Sequence, residues 1–366
     1  MEATRSSRAW LAACAGALAI VACGGGDDDM GYAATILVSD TAAAANPYGS
    51  SSAHVDANPV NAWGIAFNPQ GFVWVANAGT STSTLYDGHG VPQSLVVSIP
   101  DGQGGEAEPT GIVFNSTGSF LVSQGGVTAS SIFIFAGEGG TIAGWSPAVD
   151  MTHAVTAVDR SAAGAIYKGL ARATQGGADF LYATDFHNGA VDVFDAGFNK
   201  VTLAAGAFTD PNLPAGYAPF GIQAIGNQLY VSFAKQDADA EDDVAGAGFG
   251  AIDVFDTAGT LVKRLVAVGG SLNAPWGMAV APADFGTFSN ALLVGNFGDG
   301  TIRAFDPQTG NLLGTLAKPN GTPISIEGLW GIAFGNGLNS QPTNTLFFSA
   351  GPGDEAHGVY GRIDVR

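Results

Sequence analysis

Short apolar runs separated by glycine-containing turns recur along this chain, and six of them share one core. They read Trp63-Gly64-Ile65-Ala66-Phe67, Thr110-Gly111-Ile112-Val113-Phe114, Lys168-Gly169-Leu170-Ala171, Phe220-Gly221-Ile222-Gln223, Trp276-Gly277-Met278-Ala279-Val280 and Trp330-Gly331-Ile332-Ala333-Phe334. Their glycines are 47, 58, 52, 56 and 54 residues apart. In the fifth unit the run Trp276 to Val280 suits a buried inner strand, and Ala291 to Asn296 a second. After the turn Phe297-Gly298-Asp299-Gly300, Thr301 to Asp306 alternates like a half-buried third strand. Pro307 to Gly310 makes another turn, and Asn311 to Leu316 a fourth strand. A repeat of this length made only of strands and turns predicts an all-β, six-bladed β-propeller with four antiparallel strands per blade.

Two details refine this reading. Asp87, Asp195, Asp256 and Asp306 each end a third strand, with glycine a few residues on. Asp bonds the backbone two residues ahead and Gly supplies positive φ, so turn chemistry accounts for these carboxylates better than catalysis. The sixth unit lacks a fourth strand, whereas Ala34 to Ser39 form a strand that precedes any inner strand. Residues 34–39 are therefore expected to close the ring as the outer strand of the last blade.

Residues 1–23 read as a leader. Arg5 and Arg8 precede the apolar stretch Ala9 to Ala22, which is too short to span a bilayer. Ile20-Val21-Ala22-Cys23 resembles a bacterial lipobox, which implies lipidation of Cys23. Residues 24–31, beginning Gly-Gly-Gly-Asp-Asp-Asp, read as a flexible acidic tether, and residues 32–366 as the propeller. Cleavage before Cys23 leaves no second cysteine, so no disulfide or thiol chemistry is expected. The formal net charge of −19 argues against nucleic acid and anionic lipid surfaces, and favours cations. The address implied is the cell envelope, outer membrane by preference, with membrane contact only through the anchor. A monomer is expected.

Strand order sorts the polar residues. Loops before each inner strand and loops after each second strand meet at one end of the channel. The first set holds Trp63, Glu108 and Glu327; the second holds Asp185, His187, Asn188, Asn296, Asp299, Asp354, Glu355 and His357, together with Gln124-Gly125-Gly126. Asp185/His187/Asn188 and Asp354/Glu355/His357 read either as metal ligands or general bases, or as turn caps. Asp237, Asp239, Glu241, Asp242 and Asp243 crowd one loop, which suits Ca²⁺ or a solvated acidic surface. Trp63, Trp276, Trp330 and Phe220 either stack on a ligand at the mouth or pack blade against blade.

Leu181 to Gly189, Ala234 to Asp239, Leu293 to Gly300 and Gly353 to Gly358 resemble an uncharacterised family of exported bacterial proteins, several with PEP-CTERM sorting tails. The tail is absent here. Val73-Trp74-Val75-Ala76-Asn77 resembles the YVTN strand, and the blades are similar to NHL and gluconolactonase-type propellers. That likeness implies fold, not activity. Two functions stay open. One is a lipid-anchored module that binds a small molecule, glycan or protein through the loop face. The other is a metal-dependent hydrolase or lyase of gluconolactonase-like type, whose channel ion would polarise a carbonyl.

Overall fold

In the computed structural model, the structure describes residues 30–45, 52–102 and 105–366. The expected leader with Cys23 and most of the expected acidic tether lie outside the described residues. Strands carry the architecture, interrupted only by short 3₁₀ turns such as Ala78–Thr80. Six antiparallel sheets are arranged as a six-bladed propeller, and each inner strand ends its sheet's order, paired on one side only. The inner strands are Ala62–Phe67, Pro109–Phe114, Tyr167–Gln175, Tyr217–Ile225, Pro275–Val280 and Leu329–Phe334. All begin at one end of the channel, here termed the mouth, and run to the lower end.

The repeated glycines have a packing reason. A Cβ on Gly64 would lie 2.3 Å from the Thr110 carbonyl oxygen, one on Gly221 2.1 Å from that of Trp276, and one on Gly277 2.4 Å from that of Trp330. Gly111, Gly169 and Gly331 meet the next inner strand in the same way, at Leu170, Phe220 and Trp63. The six inner strands therefore touch backbone to backbone around the axis. Side-chain hydroxyls tie them further: Thr110 Oγ1 donates to Tyr167 O at 2.7 Å, Thr184 Oγ1 to Phe220 O at 2.6 Å and Ser232 Oγ to Pro275 O at 2.6 Å.

Outside this waist, apolar clusters fill the gaps between neighbouring blades. Trp74, Phe133 and Trp145 join the first and second blades, and Tyr182, Phe208 and Phe255 the third and fourth. Tyr86, Phe347 and Tyr360 join the last blade to the first. The last blade takes its fourth strand from Tyr32–Ser39, which pairs antiparallel with Val359–Val365. His54–Val55 adds a short parallel strand outside it.

Two blades depart from the regular plan. In the second, the inner strand pairs directly with Phe133–Gly137. Leu121–Gln124 and Val127–Ser130 form a separate hairpin inserted between them. Gln124-Gly125-Gly126 is thus the tip of that hairpin, leaving from the lower end, and not a mouth loop as expected. The mouth loop of this blade is Glu138-Gly139-Gly140. In the third blade the fourth strand shrinks to a bridge between Phe194 and Lys200.

The turn aspartates behave as their sequence context predicts. Asp87, Asp195, Asp256 and Asp306 each accept a hydrogen bond from the backbone N–H two residues ahead, at 2.8 to 2.9 Å.

Candidate functional site at the channel mouth

The residues before the anchor glycines, Trp63, Thr110, Lys168, Phe220, Trp276 and Trp330, occupy equivalent places in the six inner strands. The aromatics among them pack into one cluster with Phe186 and Phe297. Trp63 stacks on Trp330 with centroids 3.7 Å apart, and Phe297 stacks on its ring at 4.0 Å. Trp276 meets both tryptophans edge-on at 6.3 and 6.1 Å. Contacts from five blades thus plug the channel just below the mouth. Trp276 Nε1 donates to Lys168 O at 2.8 Å and Trp330 Nε1 to Asn61 Oδ1 at 3.0 Å, whereas the buried Trp63 Nε1 has no partner among the described residues.

Lys168 is the charged member of this set and is only 1% exposed. Its ammonium sits 5.4 Å from the centroid of Trp63 and 5.9 Å from that of Phe186, within cation–π range. It forms an ion pair with Glu138 and another with Asp242 at 3.0 Å. Desolvation works against the charge, but these two carboxylates more than offset it and hold the Lys168 pKa above its ordinary value. Lys168 is therefore an ammonium at neutral pH, not an amine nucleophile.

More carboxyls face this lysine than it can pair. Desolvation pushes Asp243 up to about 7, opposed by Lys168 and reinforced by Glu355 and Asp242. Glu355 is also pushed to about 7, by desolvation and then by Glu138. Glu108 is raised by desolvation and by Glu138 and Glu106. Asn61 Nδ2 donates to Glu355 Oε2 at 2.5 Å. These groups come from the second, fourth and sixth blades. Backbone strain accompanies them: Asn61, Glu108, Asp354 and Glu355 all have φ between 44° and 64°. Left-handed conformations cost such residues on the order of 1 kcal/mol or more, and they concentrate where function requires them.

The other expected site residues are placed elsewhere or otherwise engaged. Asp185 is buried as a turn cap, accepting from the Ile166 N–H at 3.3 Å and from Asn188 Nδ2 at 2.8 Å. Asn296, fully buried, accepts from the Asn273 N–H at 3.1 Å. Asp299 caps its own turn through Thr301. Glu327 accepts from the Gly353 N–H at 3.0 Å. His357 turns away to Asp40, Nδ1 to Oδ2 2.8 Å, and latches the segment after the closing strand to the last blade. Asp354 is exposed. These residues and His187 do not line one concavity; His187 sits in a shallow rim depression with Glu138, Ser161 and Glu241.

The acidic loop also divides. Asp242 reaches Lys168, Asp243 lies beside it, and Asp237 accepts from the Glu241 N–H at 3.0 Å. Asp239 and Glu241 are exposed. Among the described residues no group of three or more His, Cys, Asp or Glu is arranged to hold a metal ion. Of the residues that do converge, Glu138, Lys168 and Asn61 were not nominated from sequence. Lys168 carried a signal as the charge in an aromatic column. Glu138 was hidden by the inserted hairpin.

No family model matches the chain. Over 319 residues it is 35% identical to "Uncharacterized protein R648" of Acanthamoeba polyphaga mimivirus, spanning 85% of this chain and 76% of that protein. To "Uncharacterized protein L690" of the same virus it is 33% identical over 322 residues, spanning 85% and 82%. The chain belongs to the family of these proteins. These relatives are viral, whereas the sequence resemblance pointed to exported bacterial proteins. Among solved structures, a protein of unknown function from Bacteroides thetaiotaomicron superposes with a TM-score of 0.57 at 12% identity, covering 92% of this chain and 76% of that one. The soluble aldose sugar dehydrogenase of Escherichia coli gives 0.51 at 13% identity, covering 92% and 100%. A streptogramin B lyase gives 0.50 at 12%, covering 92% and 98%. At these identities the likeness shows the propeller fold alone.

Proposed function

We propose that this member of the mimivirus R648 family is a binding module whose mouth face receives a cationic group carried by a small molecule, glycan or protein partner. The observation that carries this reading is the convergence of Glu138, Asp242, Asp243 and Glu355, from three blades, around one buried ammonium above an aromatic floor. Lys168 shows what the cage accepts: a positive charge held by carboxylates beside an indole face. The surplus carboxyls favour a second cation, which would lower the raised pKa values of Asp243 and Glu355. Calorimetric titration with spermidine as the probe tests this. Saturable binding that weakens with salt, and weakens further in Glu355→Gln and Asp243→Asn, is expected. Equal binding by the variants, or none by the wild type, would overturn it.

A second reading draws on the same two carboxyls. Groups with pKa values of about 7 suit general acid–base work, as a hydrolase or lyase requires. Turnover abolished by Glu355→Gln with cation binding retained would favour it. We further propose that the protein is held at the cell envelope by lipid on Cys23. Cys23→Ala should move it from the membrane to the soluble fraction, and continued palmitate labelling of the variant would refute the anchor.

A further inference from the structure

Below the aromatic plug the channel does not close again. It widens into a cup of about 490 Å³ that opens on the lower face, away from the mouth. Residues from all six inner strands form its wall, among them Phe67, Phe114, Arg172, Ile225, Val280 and Phe334. Val280 is 41% exposed although it lies in a central strand, because its side chain faces this space. We propose that the cup is a second ligand site, distinct from the mouth, for an uncharged small molecule that combines apolar surface with hydrogen-bonding groups.

Four observations support that ligand class. The volume falls within the range of about 300–1,000 Å³ occupied by small-molecule sites. Charge is absent in net terms: Arg172, the ionisable side chain in the wall, is already paired with Asp179 at 3.1 Å. Polar partners are nevertheless present. Each inner strand pairs on one side only, so six strand edges present unpaired backbone N–H and C=O groups toward the axis. Gln223 is exposed in mid-strand, in the cup wall, and its amide makes no hydrogen bond to another described residue. A wall that sets backbone and amide polar atoms beside apolar side chains can orient a neutral ligand. The wall is built of strands locked glycine to backbone at the waist, so it is formed before any ligand arrives.

This site does not depend on the reading of the mouth, and its test is separable. Nile red, a neutral dye whose emission shifts to the blue in apolar surroundings, serves as the probe. One saturable equivalent per chain is expected, with blue-shifted emission and quenching of tryptophan fluorescence, since Trp276 lies at the inner end of the cup. Val280→Trp should fill the cup and reduce dye affinity tenfold or more, and Gln223→Leu should alter affinity without loss of the melting transition. Glu355→Gln, at the mouth, should leave dye binding unchanged. Non-saturable binding, or equal affinity in a Val280→Trp protein that melts like the wild type, would overturn the proposal. Should Val280→Trp fail to fold, Val280→Phe provides the same comparison at smaller volume.

Discussion

Lys168 fills the ring position at which four other blades place Trp or Phe, and its cost is met by Glu138. Removing one partner of a buried pair leaves an uncompensated charge. Lys168→Met should therefore destabilise the protein by on the order of 3 kcal/mol, and Lys168→Met/Glu138→Gln by less, as read from urea midpoints. Equal losses in both variants would mean that Lys168 contributes packing and not charge. The lysine was visible in the sequence as an interruption of the aromatic column. Its partners were not, because ion pairing across blades depends on loop reach. The raised carboxyls yield a pH prediction. Asp243, Asp253 and Glu355 hold protons up to about pH 7 in the folded protein, against about 4 in the unfolded chain. Between those values the folded state binds more protons, so stability falls as pH rises through this window and levels above it. The melting temperature should be lower at pH 8 than at pH 5. Asp253 is fully buried, neither oxygen accepts a hydrogen bond from another described residue, and its pKa is raised by burial and then by Asp210, with Arg264 opposing. Asp253→Asn should accordingly raise the pH 8 value and narrow the gap; an unchanged gap would exclude Asp253 as its source.

Within a blade, the glycine of the inner strand does more than permit a turn. Gly277→Ala would drive a methyl to 2.4 Å from the Trp330 carbonyl oxygen, in a waist where the neighbouring backbone has no room to yield. A loss of about 1–3 kcal/mol is expected. Gly118→Ala, exposed with nothing within 4 Å, should change stability by less than about 0.5 kcal/mol. Similar losses at the two positions would show that conformational entropy and not close approach governs the repeat. The recurrence of these glycines was legible, as were the hairpin aspartates, because both are local patterns repeated in every unit. The hairpin at Leu121–Ser130 was not distinguishable from a second strand: apolar alternation bounded by Gly-Gly looks the same whether or not the strand joins the blade. That one ambiguity displaced Glu138 from the mouth and put Gln124 there instead.

For the ring as a whole, the joint between the first and last blades is the place where chain connectivity offers no help. Tyr32–Ser39 bridges it through its ladder with Val359–Val365, and Asp40 extends the joint by accepting from the Gly358 N–H at 3.2 Å. A chain beginning at residue 41 should lose the cooperative melting transition or aggregate through the bared edge of Val359–Val365, whereas one beginning at residue 30 should melt like the full chain. Identical melting of the two would mean that the outer strand is dispensable. The same ladder fixes where the chain ends emerge. Gly31 and Arg366 exchange hydrogen bonds of 3.1 and 2.8 Å at the lower end, beside the face on which the cup opens. The described chain thus enters and leaves the fold on the side of the cup, opposite the acidic mouth. A linker joined directly at Gly31 or at Arg366 will therefore leave beside the bowl and keep the acidic face free.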